Sequence, residues 1–432
     1  VYAFDEEGNY DYCETYVLVQ QHVDCGGEGG TINGIIATEE DEMVEGVEIS
    51  VNGGVANMVT NSNGIYSFTL PADGDYTITP YLNANPLNGV STFDLVLITK
   101  HVLGTQPLNS PYKVIAADAN RSQTVTTLDM IQIRKLILNI IDEFPNNTSW
   151  RFVEQDYGFP DMGNPWLEEF PELINVNNLP EAGLPDADFV GVKIGDVNGT
   201  AQANALAGDD RNLEGIFHLQ AEDIALKTGN TYTVAITGEN LSQVRGFQGT
   251  LQLQGVELLD IEYAEATAEN FGLRFMEQGY LTMSWNAPSV QSDAVLFSLV
   301  IKADDSRMLH EALSINDRYT MSESYNEDQT TELGIDFTTT LADGPVFELY
   351  QNSPNPFRET TLISFNLPQA SEAMITISDA SGKVLHIIKG EYGAGYNTVN
   401  VTKTMLQGAS GVVSYTLQSD KYTATRQMIV VE

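Results

Sequence analysis

At 432 residues the chain exceeds what one hydrophobic core organises, and ~100–150 residues per domain gives roughly three or four units. A formal charge of -40 and a pI near 4.1 repel phosphate backbones and anionic headgroups, so nucleic acid is not expected as a partner. No apolar run approaches the ~20 residues a spanning helix needs, so direct membrane insertion is not expected; Val1 reads as a cut with no signal peptide.

The opening Val1–Gln20 holds a turn signal at Glu7-Gly8-Asn9 and then a β-rich run from Tyr10, the pattern of the last hairpin of a sandwich. Asp5, Gly8, Asn9, Cys13 and the alternating Val17 and Val19 resemble the end of a hyalin-repeat immunoglobulin-like domain, placed at 1–24. Cys13 and Cys25 are too few for a disulfide framework or a zinc site. A bridge between them and a bridge from one to an upstream residue both fit. The glycines of 25–30 read as a linker. From 31 to 82, turns at Asn52-Gly53-Gly54, Asn63-Gly64 and Asp73-Gly74 separate short strands, and Tyr66, Phe68, Leu70 and Tyr76, Ile78 alternate toward one face. This segment resembles the carboxypeptidase-regulatory-like and collagen-adhesin B-type modules, which implies a spacer.

The character changes at Asn83, where a module extending to residue 199 begins. Ser91–Gly104 and Thr126–Asn139 form an internal repeat offset by 35 residues, with identical pairs Thr92/Thr127, Asp94/Asp129, Ile98/Ile133, Lys100/Lys135 and Leu103/Leu138. Each copy has a Ser or Thr start signal, an amphipathic run and a Gly or Asn stop, so each predicts a loop followed by a helix. Between Pro145 and Pro185 lie Trp150, Phe152, Tyr157, Phe159, Trp166 and Phe170. Exposed, they form a ligand platform; folded back, which is the favoured reading, they cover the helices.

Asp118–Asp129, "DANRSQTVTTLD", carries oxygen donors at alternate positions. A twelve-residue calcium loop places ligands at positions 1, 3, 5, 7 and 12, because a chain wound around one hard cation turns alternate groups inward. Here these are Asp118, Asn120, Ser122, the Thr124 carbonyl and Asp129. Gln123 stands where Gly is usual, at a cost of about 1 kcal/mol for a positive φ. The earlier copy offers Asn83, Asn85, the Gly89 carbonyl and Asp94, with Leu87 at position 5, a weaker set. Asp196 and Asn198 look like the opening of another loop that could supply a neighbouring site. The bare alternative is a helix hairpin with polar caps. Over Asn83–Asp142 the duplicated loop-helix pattern resembles the type I dockerin family, which implies calcium as cofactor and docking onto cohesins. The family commonly uses a Ser-Thr pair before the last loop carboxylate; Phe93 and Leu128 occupy the second slot in this chain.

After a linker at 200–212, residues 213–341 return to alternating strands and predict a larger, jelly-roll-like β-sandwich. "VRGFQGTLQLQGVELLDIEYAE" is weakly similar to a cohesin, so an intramolecular dockerin–cohesin contact is expected. The tail, 347–432, carries six basic against seven acidic residues, -1 of the total charge. Pro354-Asn355-Pro356-Phe357, the turn at Asp379, Gly382 and Lys383, then Ser410-Gly411-Val412, Tyr415 and Met428-Ile429-Val430 run in the order of the type IX secretion C-terminal sorting domain. That resemblance implies a seven-stranded sandwich, recognition by the type IX machinery at the outer membrane, and a secreted or cell-surface location in a Gram-negative bacterium.

The five histidines are scattered and form no H-E-x-x-H, and there is no G-x-S-x-G elbow. The reading is a mainly β, multidomain protein of several β-sandwiches with one small α-helical module, not an enzyme, structural or adhesive, with self-assembly on the surface left open. The alternative is a scaffold whose modules bind other secreted chains.

Overall fold

A computed structural model describes residues 2–4, 10–12, 29–204, 213, 215–238, 240–292, 294–327, 329–338, 347–379, 381–419 and 422–431. Cys13, Cys25 and linker residues 205–212 lie outside the described residues. The architecture is mainly β, built from several sheets with three α-helices among the described residues. At the start, Tyr2–Phe4 and Tyr10–Tyr12 pair antiparallel, as the turn signal between them predicts. The chain forms two compact units, one of Val1–Leu219, Thr231–Asp304 and Ala312–Ile335, the other of Gln220–Asn230, Asp305–Glu311 and Asp336–Glu432.

In the first unit the expected 31–82 spacer does not close on its own strands. Gly29–Ala37 buries every second residue, including Ile32 and Ile36, and pairs antiparallel with Ile65–Pro71, Ile32 opposite Phe68. Its other edge pairs in parallel with Phe189–Lys193, Phe189 opposite Ile36, and that strand pairs antiparallel with Trp150–Glu154. The facing sheet, Ala56–Val59, Glu48–Val51 and Tyr76–Tyr81, is likewise completed from afar by Ile174–Val176. The core between the sheets holds Ile32, Ile49, Tyr66 and Ile78 with Trp150, Phe152 and Phe189. The boundary expected at 82/83 therefore falls inside one core, and Gly29 and Gly30, expected in a linker, are strand residues. The sequence rule of neighbouring strands pairing is overridden by strands more than a hundred residues downstream.

Helices α1 (Thr92–Val102), α2 (Pro111–Ala117) and α3 (Thr127–Ile137) occupy the insertion. Ser91 and Thr126 cap α1 and α3 through capping boxes closed by Asp94 and Asp129, and Ser110 with Pro111 starts α2. The apolar faces meet in a second core of Leu95, Ile98, Ile115, Ile133, Leu136 and Ile137. Phe170 is buried in it, and Tyr157, Phe159 and Trp166 pack against it from outside, so these aromatics cover the helices.

The larger sandwich follows. Val256–Tyr263, Phe297–Ala303 and Thr231–Gly238 form one ladder; Glu323–Tyr325, Gly246–Leu253, Tyr280–Asn286 and Phe271–Gly272 form another, with Leu313–Asn316 on Gly246–Leu253. Phe247, Leu251, Leu281, Met283 and Trp285 point into its interior.

In the second unit the tail forms seven strands in sheets of three and four around Phe357, Phe365, Ile375, Ile377, Tyr415 and Leu417. Tyr415 Oη donates to the Tyr350 carbonyl and accepts from the Asn352 amide, both at 2.8 Å, which ties the Asn352–Phe357 segment to the core. Gln220–Asn230 and Asp305–Glu311, expected within the 213–341 sandwich, group with the tail instead. They form their own ladder, Leu226 opposite Arg307, and His310 Nδ1 pairs with Asp223 at 2.9 Å.

Because its sheets need strands from 150 to 193, a fragment of residues 29–82 is expected to remain unfolded, whereas 29–204 folds. Circular dichroism and amide dispersion of the two fragments check this; a cooperatively melting 29–82 would contradict the shared core.

Candidate functional site: a helix pair, two polar loops and a covered sheet face

The Asp118 loop is closed by its two aspartates, which accept the loop's own amides. Asp118 and Asp129 are fully buried. Asp118 Oδ1 accepts from the Ser122 amide and Oδ2 from the Gln123 amide, each at 2.8 Å. Asp129 Oδ1 accepts from the Asn120 amide at 3.1 Å, while Oδ2 takes the Thr126 amide and hydroxyl. Ser122 Oγ lies 3.2 Å from the Thr124 carbonyl. Gln123 has φ of 63°, the left-handed turn that this position requires. Burial pushes the Asp129 carboxyl up, outweighing the hydrogen bonds from Asn120 and Thr126. The Asn120 Oδ1 is buried with no hydrogen-bond partner.

A second loop has the same plan, but its two halves come from distant parts of the chain. Asp196 Oδ1 accepts from the Thr200 amide at 3.3 Å and Oδ2 from the Ala201 amide at 2.7 Å, the same fourth and fifth residues onward as in the Asp118 loop. Asp94 closes it as Asp129 closes the first: Oδ1 takes the Val197 amide at 2.8 Å and Oδ2 takes the Ser91 amide and hydroxyl. Thr200 Oγ1 donates to the Gly89 carbonyl at 3.1 Å, matching Ser122 and Thr124. Gly89 has φ of 72°, and a Cβ there would sit 2.4 Å from the Ala201 nitrogen, so only glycine lets the halves close. Asp94, Gly89, Asp196 and Asn198 are thus brought together, with Thr200, which the sequence pattern missed because its partner lies 111 residues away. Asn83 is placed elsewhere: it accepts from the Ser149 amide and donates to Glu143. Asn85 sits in a left-handed turn, with its carbonyl accepting from the Asn88 amide.

Burial, and then the charge of Asp196, hold the Asp94 carboxyl well above the usual carboxylate range. Lys193, also buried, is pulled down to about 8 by desolvation against the attraction of Asp196 and Asp94, and its Nζ donates to the Pro86 carbonyl at 2.7 Å. No cluster of three or more His, Cys, Asp or Glu side chains placed to hold a metal occurs among the described residues. The two loops instead offer paired aspartates with amide, hydroxyl and carbonyl oxygens, the hard donor set that suits calcium.

Helices α1 and α3 lie across the outward face of Gly246–Leu253 and Tyr280–Asn286. Thr282 and Ser284 alternate with Leu281, Met283 and Trp285 and would face solvent in an isolated sandwich, yet both are fully buried, as is Thr250. The Thr92 amide donates to Gln248 Oε1 at 2.7 Å, and Thr92 Oγ1 meets Ser284 Oγ at 2.7 Å. Thr282 Oγ1 donates to the Leu138 carbonyl at 2.8 Å and Thr320 Oγ1 to the Ile137 carbonyl at 2.9 Å, so sandwich hydroxyls satisfy the C-terminal carbonyls of α3. Gly272 permits this approach, since a Cβ there would meet the Leu138 oxygen at 2.5 Å. Phe93 stacks on Tyr325 at 5.5 Å, Arg134 bonds Asn286, and Arg274 pairs with Asp142 at 2.5 Å. Leu128, the repeat partner of Phe93, is exposed.

No family model matches the chain, and no curated protein matches it. Among solved structures it is similar to one chain of a type I cohesin–dockerin complex from Clostridium thermocellum, at 10% identity and TM-score 0.23, over 29% of this chain and 100% of that one. The type II cohesin dyad of the adaptor ScaA scaffoldin of Acetivibrio cellulolyticus matches at 9% identity and TM-score 0.23, over 48% and 89%. The major pilin subunit BcpA of Bacillus cereus matches at 10% identity and TM-score 0.19, over 93% and 97%. At such scores these likenesses carry no function over to this chain.

Gln248→Ala removes the acceptor of the buried Thr92 amide and is expected to destabilise the chain by about 1–3 kcal/mol. Denaturant unfolding checks this; an unchanged midpoint would mean that the contact is not made in solution.

Proposed function

We propose that this chain is a non-catalytic structural part of an exported cell-surface protein, in which a calcium-stiffened, dockerin-like helix pair is clamped onto its own cohesin-like sandwich. The observation that carries the reading is the burial of Thr282 and Ser284 beneath α1 and α3, with hydrogen bonds made by side chains of both modules. A polar sheet face covered in this way is a built interface, since unpartnered hydroxyls there would each cost about 1–3 kcal/mol.

Calcium is proposed at both loops: Asp118, Asn120, Ser122, the Thr124 carbonyl and Asp129 at the first, and Asp196, Asn198, Thr200, the Gly89 carbonyl and Asp94 at the second. The orphaned Asn120 Oδ1 supports the first, because a buried amide oxygen without a donor is matched by a cation. Burying carboxylates in pairs is costly without a compensating charge; Lys193 supplies part of it at the second loop, and a divalent ion would supply the rest. Binding to the folded state alone stabilises it, by about 2.7 kcal/mol at a hundredfold excess over Kd. Chelation is therefore expected to lower the melting temperature, titration calorimetry to count two ions, and Asp118→Ala to leave one. A melt indifferent to chelator would remove calcium from the account.

The tail is proposed as the address for type IX secretion, supported by its motif order and by its near-neutral charge on an otherwise acidic chain. No helix among the described residues is long and apolar enough to cross a membrane. Deleting 347–432 is expected to leave the first unit folded but inside the cell; surface display of the truncated chain, scored by protease accessibility, would refute the assignment.

A further inference from the structure

The two loops share a plan but not a charge balance. At the first, Asp118 accepts the loop amides of Ser122 and Gln123, and the Asn120 Oδ1 has no partner. Arg121, the loop's own basic residue, is exposed and turned to Glu172 at 3.0 Å, so Asp118 and Asp129 are left to repel each other. At the second, Asp196 accepts from the amides of Asn198, Gly199, Thr200 and Ala201. Asn198 stands where Asn120 stands in the first loop, and it is satisfied: its Oδ1 lies 2.9 Å from the Thr200 hydroxyl. The second loop also has a resident cation. Lys193 is buried at the end of the strand that leads into it, and its Nζ donates to the carbonyls of Pro86 at 2.7 Å and Ile194 at 3.3 Å. The attraction of Asp196 and Asp94 opposes the desolvation that would discharge it.

We propose that Lys193 is the built-in counter-ion of the second loop, so that this loop stays closed without metal and takes calcium weakly, while the first depends on the ion; this rests on the calcium reading above. At the first loop a divalent ion neutralises Asp118 and Asp129 outright and gives the Asn120 Oδ1 its missing partner. At the second the ammonium already offsets one of the two carboxylates, so the same ion leaves a buried site with surplus positive charge. The ion also meets repulsion from an ammonium that Pro86 and Ile194 hold in place, which weakens binding roughly tenfold or more. The loops then divide their roles. The Lys193 loop is a permanent clasp that fixes the start of α1 to residues 196–201 at any calcium level, and the Asp118 loop is the part that responds to calcium.

Hydrogen exchange on the full chain, in chelator and in excess calcium, separates the loops. In chelator the Ser122 and Gln123 amides are expected to lose protection while those of Val197 and Ala201 keep theirs. Calorimetry with calcium is expected to resolve a tight and a weak ion, and Lys193→Met to tighten the weak one roughly tenfold or more while leaving the tight one unchanged. Loss of protection at both loops together in chelator, or two affinities that Lys193→Met does not shift, would overturn the proposal while leaving calcium in place. A parent chain that binds no calcium would instead overturn the calcium reading, and this inference with it. Should Lys193→Met fail to fold, the exchange measurement on the parent chain gives the decision by itself.

Discussion

The covered polar face of the larger sandwich is the constraint on which the first unit turns. Gly246–Leu253 and Tyr280–Asn286 bury apolar side chains on one side and polar ones on the other, and the second burial is tolerable only because α1 and α3 bring matched donors and acceptors. The match is directional. The N-terminus of α1 offers an unsatisfied amide to Gln248, while the C-terminus of α3 offers carbonyls to Thr282 and Thr320. Each helix end thus finds its partner on another module, and the placement of the helices becomes as restricted as the register of the strands beneath them.

That restriction passes backward into the loops. Asp94 is the third residue of α1 and at once the cap of Ser91 and the acceptor for Val197, so the residues touching Gln248 and Ser284 are fixed by the segment at 196–201. Asp129 does the same for α3 through Asn120. Two turns of helix, two aspartates and two loops form a repeated device in which one carboxylate both starts a helix and closes a loop.

Much of this was legible in the sequence because it is local. Ser91 and Thr126 announce the helix starts, the 35-residue offset announces the duplication, and Asp118–Asp129 is a contiguous loop with its spacing on display. Three things were not. The strands at 150–154, 174–176 and 189–193 join sheets begun a hundred residues earlier, and no local pattern names a distant partner. The second loop is split: Asp196 and Asn198 could be read as the opening of a loop, but Asn83 and Asn85 were the contiguous candidates to precede Asp94, and Thr200 went unnoticed. Thr282 and Ser284 alternate with apolar residues as a solvent face would, and period-two patterning cannot tell water from a docked helix.

The junction between Asn88–Asp94 and Asp196–Gln202 also has a mechanical meaning. Asn88 and Gln202 exchange two hydrogen bonds, Thr200 holds the Gly89 carbonyl, and Asp94 holds Val197, all within a few residues. Parting this junction, and the strand pairings beside it, would release the roughly hundred residues between its halves, which at ~3.4 Å each hold some 340 Å of hidden length. The helices and the aromatic cover therefore sit in a loop that the junction closes. The junction thus acts as a shackle: once it and the pairings around it part, the loop pays out as slack before the backbone is drawn taut.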